Sequence, residues 1–181
     1  IEIKNFSFNE VVPGCVAATL PAMDGWEKTN LTTVKLYREH EGSNTKAGSF
    51  YSTKLVNTRT AGGGLYWQTQ AGTDRHNMIP RFAGRTVTFG AWLKQDTANE
   101  VKLGVEDSDG YVFSTVTATT GSFVWHEVTR TIASDTTVFK VYFSTAGGDT
   151  STTSYISQPT LVLGSAIGSG NYSRPSGEIV W

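Results

Sequence analysis

Cysteine is almost absent from this sequence, since Cys15 is the only one in 181 residues. A single cysteine excludes an internal disulfide and cannot build a cysteine zinc site. We expect Cys15, which is followed by Val16 and Ala17, to be a small core residue. A chain of this length can bury enough surface to fold as one domain without a disulfide bond or a structural metal ion. Burial of side chains must therefore provide its stability.

An excess of charge of either sign is also lacking. The 15 Lys and Arg residues nearly balance the 16 Asp and Glu residues, and the net charge is -1. Binding of nucleic acid depends on clustered Lys and Arg, so nucleic acid is not an expected partner. The apolar runs fall well short of the roughly 18 residues that a membrane span requires, so no membrane is expected either.

Catalytic motifs are missing too. The three histidines do not form a His-Glu-x-x-His pair, which is the usual helical zinc motif. A glycoside hydrolase needs two carboxylates that face each other across a cleft. Glu106 and Asp107 are adjacent in a predicted strand, so their side chains point to opposite faces. The sequence therefore predicts a protein that is not an enzyme.

Hydroxyl residues and glycine are abundant, with 26 Thr, 16 Ser and 19 Gly. Threonine suits a half-exposed pleated surface, while serine and glycine supply turns. Short apolar alternations bounded by such turns predict an all-β fold, a two-sheet antiparallel β-sandwich of the jelly-roll type. The turns include Asp107–Gly110, which we interpret as a hairpin. The predicted strands lie within Ile1–Phe8, Thr33–Tyr37, Phe50–Val56, Leu65–Gln70, Arg85–Lys94, Glu100–Asp107, Tyr111–Thr117, Phe123–Ile132, Thr137–Ser144 and Tyr155–Leu163.

Alternation along the clearest strands separates a buried face from an outward one. Successive strand residues point to opposite sides, so every second residue is expected in the core. Exposed aromatic rings among polar residues suit sugars, whose C–H faces pack on a ring while their hydroxyls form hydrogen bonds. The predicted core residues are Val87, Phe89, Leu93, Val101, Leu103, Val105, Phe139, Val141 and Phe143. The predicted ligand-binding residues are Trp92, Tyr66, Gln68, Tyr142, Lys102 and Glu106.

We place these six ligand-binding residues on one outward surface. Trp92, Tyr66, Tyr142 and Gln68 are expected to border a groove there, with Lys102 and Glu106 bonding sugar hydroxyls. Core packing remains an alternative for Trp67, and an interface to another chain remains one for Trp92. Trp125 is expected to plug one end of the sandwich, and Trp26 is expected to be structural.

Several segments resemble jelly-roll carbohydrate-binding modules of the xylan- and glucan-binding type. Arg81–Lys94 is similar to the L-x-G-K-x-Y-T-F-S-x-W-V-K stretch of these modules, and Thr120–Thr129 matches their T-G-x-W-x-x-V-T strand. Asp24–Trp26 resembles their P-x-G-W start, and Leu65–Gln68 resembles an L-x-Q strand. The ending, Gln158–Ser165 followed by Gly177–Trp181, looks like a variant found in bacteriophage tail-fibre and virion proteins. The resemblance implies a non-catalytic, lectin-like module that binds a polysaccharide or a host-surface glycan.

The resemblance also sets expectations for the domain and its metal. It covers residues 1–165, and residues 166–181 are expected to form a Gly/Ser-rich tail that ends in a short strand. Modules of this kind often hold a structural calcium with an Asp of the last strand, but Tyr155–Pro159 contains none. No cofactor is required, and a structural calcium is left open with Glu10 as its candidate ligand.

A second function remains open from the sequence. The chain could be a structural or assembly domain of a phage virion or fibre, with the aromatic face packed against neighbouring chains. Because the sequence starts at Ile1, we expect a processed form or a module of a longer protein. Either function implies a secreted, extracellular or virion-associated location.

Overall fold

A computed structural model of the chain describes residues 26–29, 33–58, 62–72, 78–115, 120–145 and 151–169. Within these ranges a 3₁₀ turn spans Gly42–Asn44 and a short helix, α1, spans Ile79–Phe82. No helix in the described ranges is long and apolar enough to cross a membrane. The strands are β1 Trp26–Thr29, β2 Val34–Glu39, β3 Ser52–Asn57, β4 Gly63–Gln70, β5 Thr86–Gln95, β6 Val101–Asp107, β7 Gly110–Phe113, β8 Val124–Thr131, β9 Val138–Thr145 and β10 Thr152–Leu163.

The strands form two five-stranded antiparallel sheets that pack face to face. Sheet A has the order β1-β4-β9-β6-β7, and sheet B has the order β2-β3-β10-β5-β8. This arrangement confirms the predicted all-β sandwich. The predicted strand Ile1–Phe8, like Cys15, lies outside the described residues, and each of the other nine predicted segments overlaps one of β2–β10. The short β1 and α1 were not predicted, because neither is long enough to show a period.

The core lies between the two sheets and contains the predicted residues. All nine are at most 1% exposed, since the inward positions of β5, β6 and β9 alternate as the sequence indicates. Trp26 is also buried and stacks on Phe143 with ring centroids 5.5 Å apart, which confirms its structural role. The α1 residue Phe82 stacks on Phe139 at 4.2 Å. The edge of Trp67 meets both of these rings, so Trp67 belongs with the core.

A buried amide stabilises the connection between the sheets. Gln95 ends β5 and is 1% exposed. Its side-chain oxygen accepts the backbone N–H groups of Glu100 at 3.0 Å and Val101 at 3.2 Å. These bonds satisfy buried polar groups where the chain leaves sheet B and enters sheet A. Consequently β5 and β6, although consecutive, face each other across the core.

The carboxylate of Asp107 joins the two sheets at the opposite end of β6. It accepts hydrogen bonds from the guanidinium of Arg130 on β8 and from the backbone N–H groups of Ala133 and Asp109. Burial alone would raise the pKa of Asp107, but these hydrogen bonds and the charge of Arg130 outweigh burial and lower that pKa. The tight β6–β7 turn, predicted as a hairpin, begins at this residue.

Truncation of Phe89 tests the assignment of the core. Phe89→Ala should lower the free energy of unfolding by roughly 3–5 kcal/mol, because it removes a fully buried ring and leaves a cavity. Phe50 is 45% exposed, so Phe50→Ala is a matched control that should cost well under about 1 kcal/mol. Chemical denaturation measures both losses. A loss below about 1 kcal/mol for Phe89→Ala would show that the inward and outward faces of β5 are reversed.

Asp107→Asn tests the ion pair through the pH dependence of stability. The pKa of Asp107 is lower in the folded chain than the value of about 3.9 expected after unfolding, so its charge stabilises the fold above about pH 4. That contribution should disappear as pH falls toward the folded pKa. The difference in unfolding free energy between wild type and Asp107→Asn should therefore shrink below about pH 4. Asp109→Asn, an exposed change in the same turn that keeps the bond between Asp107 and Arg130, is the control.

Candidate functional site

Cross-strand pairing brings aromatic and polar side chains together on the outer face of sheet A. Tyr66 of β4 pairs with Tyr142 of β9, and Tyr142 pairs with Gly104 of β6. Glu27 of β1 and Phe113 of β7 complete this row at its two ends. Residues directly opposite in neighbouring strands lie on the same face and within contact distance. The row therefore runs across all five strands of the sheet.

A second, more polar row lies beside the first. Gln68, Lys140, Glu106 and Tyr111 are successive cross-strand partners on β4, β9, β6 and β7. Lys140 Nζ lies 2.9 Å from Glu106 Oε1, and the two side chains are 28% and 29% exposed. Tyr111 is 64% exposed, the largest exposure among the bulky apolar residues that the structure describes. This row places a donor, an acceptor and an accessible ring next to one another.

Five residues of these two rows line a cleft of about 420 Å³. This volume lies within the usual range for small-molecule sites, about 300–1,000 Å³. Gly62, Gly63 and Gly64, at the start of β4, also line it. We call this site the aromatic cleft, and its lining residues are Thr29, Gly62, Gly63, Gly64, Leu65, Tyr66, Glu106, Tyr111, Lys140, Tyr142, Phe143 and Ser144.

The two tyrosines of the first row differ in how their hydroxyl groups are held. The Tyr66 hydroxyl donates to Glu27 Oε2 at 2.5 Å, and Gln68 Nε2 donates to Glu27 Oε1 at 3.4 Å. Burial, followed by this hydrogen bond and the charge of Glu27, raises the pKa of Tyr66 to about 12. Burial and the charge of Glu106 raise the pKa of Tyr142 as well. Both phenols are therefore protonated donors at neutral pH.

Trp92 does not share this surface, so the prediction of one six-residue surface is wrong. Trp92 lies on β5 in sheet B and faces away from the core on the opposite side of the sandwich. Its ring meets Trp125 edge-on at 5.7 Å, and Lys46 Nζ lies 3.9 Å from the ring centroid. Trp125 also lies on this outer face, with its ring over Gly90, and does not plug an end of the sandwich.

Two segments of the chain itself cover part of the outer face of sheet B. Near the 3₁₀ turn, Lys94 Nζ donates to the carbonyl of Ser43 and to Asn44 Oδ1, each at 2.8 Å. Beyond β10, the Glu127 carboxylate accepts the N–H groups of Ile167 and Gly168. Lys94 and Glu127, two outward polar groups of this face, are thus held by these segments. By contrast, within the described residues the hydrogen bonds of the polar side chains lining the aromatic cleft run only from strand to strand.

Five of the six predicted ligand-binding residues do lie together on sheet A: Tyr66, Gln68, Tyr142, Lys102 and Glu106. Their binding role stays a prediction. Lys102 lies at the margin, where its Nζ is 3.8 Å from the centroid of the Phe113 ring. Sequence reasoning missed Glu27, because β1 is only four residues long and its alternation is too short to reveal a face. It missed Tyr111 because Tyr111, Val112 and Phe113 are all apolar, so the alternation does not show which of them points outward.

Candidate metal-binding side chains do not cluster among the described residues. They contain no group of three or more His, Cys, Asp or Glu side chains that could hold a metal ion. Glu10 lies outside the described residues, so its role as a calcium ligand stays a prediction. The predicted boundary at residue 165 also stays a prediction, although Ile167 is buried against the sandwich.

Comparisons with known proteins identify the class of fold. No protein-family model and no curated protein sequence matches the chain. Among solved structures, the carbohydrate-binding module TmCBM61, in complex with β-1,4-galactotriose, matches with a TM-score of 0.53 and 17% identity over 77% of this chain and 88% of its own. The CBM22-1 xylan-binding domain of Paenibacillus barcinonensis Xyn10C matches with a TM-score of 0.57 and 13% identity, over 81% of this chain and 90% of that domain.

A phage protein shares the architecture too. The enzymatically active domain of tailspike protein 4 from bacteriophage CBA120 matches with a TM-score of 0.53 and 13% identity, over 77% of this chain but 19% of that one. The chain therefore has the jelly-roll fold of carbohydrate-binding modules, as its sequence motifs implied. These matches, all under 25% identical, show the fold alone, so function must be argued from the site.

Titration of Tyr66 tests the hydrogen bond at the edge of the cleft. In Glu27→Gln the pKa of Tyr66 should fall from about 12 while staying above the ordinary value of about 10, because burial persists when the negative acceptor is removed. Tyrosinate absorbance isolates this group when each protein is compared with its Tyr66→Phe counterpart. An unchanged pKa in Glu27→Gln would show that the bond to Glu27 does not form in solution.

Proposed function

We propose that this protein is a non-catalytic carbohydrate-binding module and that the aromatic cleft is its glycan site. The observation that carries the proposal is the pair of cross-strand rows on sheet A, in which a row with two adjacent tyrosine rings lies beside a row of charged and amide groups. Flat rings and a few well-placed polar groups are the usual components of a small-molecule site.

The polar row suits sugar hydroxyls in particular. Each hydroxyl both donates and accepts, and the adjacent Lys140 and Glu106 present a donor and an acceptor side by side. The pair is partly exposed, so a ligand reaches its remaining donor and acceptor sites without breaking the 2.9 Å bond. Opposite charges that neutralise each other favour a neutral glycan over a strongly acidic one.

The two carboxylates beside the cleft do not resemble a hydrolytic pair. Glu106 is bonded to Lys140, and Glu27 accepts from both Tyr66 and Gln68. A glycosidase instead needs one carboxylic acid that can protonate the leaving oxygen and a second group that attacks or activates water. Because both carboxylates are held by donors on neighbouring strands, we assign the cleft to binding.

The neighbouring structures suggest which sugars to test first. One of them was solved with β-1,4-galactotriose, and another is named as a xylan-binding domain. We therefore propose a neutral, β-linked polysaccharide or a host-surface glycan as the partner, and an extracellular or virion-associated location. Affinity for short oligosaccharides should be micromolar or weaker, since few contacts are made.

Variants on the two outer faces test the proposal by calorimetry with xylohexaose and β-1,4-galactotriose, supported by a glycan array. Tyr142→Ala and Tyr66→Ala should each weaken binding at least tenfold, a loss of about 1.4 kcal/mol or more. Trp92→Ala is the matched control on sheet B and should bind within about twofold of wild type.

Other outcomes would redirect the assignment. Loss of binding in Trp92→Ala alone would move the site to sheet B. If no glycan on the array binds, the proposed function is wrong. Light scattering then tests the assembly alternative, in which the wild type forms multimers that Tyr142→Ala separates. Thermal denaturation of each variant confirms that binding was not lost through unfolding.

A further inference from the structure

A glycine beneath the Tyr142 ring determines how that ring lies. Gly104 is the cross-strand partner of Tyr142, and the outer half of the ring rests on it. A Cβ atom at position 104 would come within 2.4 Å of Cζ, 2.5 Å of Cε2 and 2.9 Å of Cε1 of the ring. These distances are far shorter than van der Waals contact. Any residue other than glycine would force the ring away from the sheet.

We propose that Gly104 is a positioning residue for ligand binding, because it lets Tyr142 lie flat as the stacking platform of the aromatic cleft. This inference rests on the proposed glycan-binding function. An aromatic ring that covers a cross-strand glycine also stabilises a sheet, so a purely structural role is the alternative to be tested.

The surrounding rings identify Tyr142 as the platform. Phe113 contacts the Tyr142 ring edge-on, with the ring centroids 5.3 Å apart and an angle of 89° between the ring planes. Phe113 therefore borders the tyrosine ring on one side. The face of Phe113 is already covered by Lys102. Among the described residues Phe113 makes the one ring contact to Tyr142, and Gly104 lies under one face of the tyrosine. Tyr142 also lines the aromatic cleft, and we place the stacking sugar ring on the tyrosine face opposite Gly104.

The same arrangement occurs on the outer face of sheet B. A Cβ atom at Gly90 would lie 2.5 Å from the Trp125 ring and 3.1 Å from the side chain of Ile167. There the ring is covered: it meets Trp92 edge-on, Ile167 packs beside it, and its Nε1 donates to Glu127. Gly90 is thus a natural control, since it supports an aromatic ring on the face where the chain's own backbone occupies the surface.

The experiment combines a binding measurement with a direct view of the ring, using the glycan that the wild type binds best among xylohexaose, β-1,4-galactotriose and the array. In Gly104→Ala the NMR signals of labelled Tyr142 should lose the ring-current shift caused by Phe113, and affinity should fall at least tenfold. Adding Tyr142→Ala to this variant should cause no further loss, since both changes remove the same platform. Gly90→Ala should disturb Trp125 yet bind within about twofold of wild type.

A second pair of variants keeps Gly104 and so does not depend on how well Gly104→Ala folds. Tyr142→Phe retains a flat ring and should bind within about threefold of wild type. Tyr142→Leu covers Gly104 with an apolar group that has no flat face, and it should bind at least tenfold more weakly. Equal binding by Tyr142→Phe and Tyr142→Leu would show that Tyr142 is not a stacking platform.

The outcomes separate this inference from the proposed function. If Gly104→Ala shifts the Tyr142 ring but retains wild-type affinity, or leaves the ring in place, Gly104 is structural and the inference is wrong while glycan binding stands. If Tyr142→Ala also binds normally, the ligand does not use the aromatic cleft. If the wild type binds no glycan at all, the proposed function fails and this inference fails with it.

Discussion

The two-residue alternation of β9 is the constraint on which both the core and the candidate site depend. Phe139, Val141 and Phe143 are fully buried between the sheets. Lys140 and Tyr142, the residues between them, must then point outward. A register slip of one residue would expose three core residues and bury a lysine, so the burial that stabilises the sandwich also fixes the aromatic cleft. β9 lies in the middle of sheet A, and its neighbours β4 and β6 supply the rest of the site.

The two outer faces show how one fold uses aromatic residues in different ways. On sheet B, Trp92 and Trp125 lie among groups that hold the chain's own segments around the 3₁₀ turn and beyond β10. On sheet A, hydrogen bonds such as that between Tyr66 and Glu27 connect neighbouring strands and leave ring faces toward the cleft. An outward aromatic ring is accessible to a ligand only where no other part of the chain covers it.

The sequence was sufficient to predict the fold class, most strands and the core, because alternation is a local property of each strand. It was not sufficient to show which strands share a sheet. Trp92 of β5 and Lys102 of β6 both point outward in consecutive strands, and sequence reasoning placed them on one surface. The chain crosses from sheet B to sheet A after Gln95, so the two side chains point away from the core on opposite sides of the sandwich. That crossing depends on buried hydrogen bonds and long-range pairing, which leave no periodic signal in the sequence.

Tyr142 illustrates the same limit at the site itself. Its outward direction follows from the alternation, but its flat orientation depends on Gly104, which is 38 positions earlier in the sequence and adjacent only through strand pairing. The charge pairing of Lys140 with Glu106 likewise arises from the β6–β9 register. The chemistry of the cleft is thus a property of the assembled sheet.

The most direct test of glycan binding in the cleft is an NMR titration of isotope-labelled protein with xylohexaose or, if that does not bind, the best-bound sugar of a glycan array. The account predicts that amide signals at the outward positions of β4, β6 and β9 shift on saturation, while those of β5 and β10 around Trp92 remain in place. Shifts confined to sheet B, or no shifts with any glycan, would contradict it.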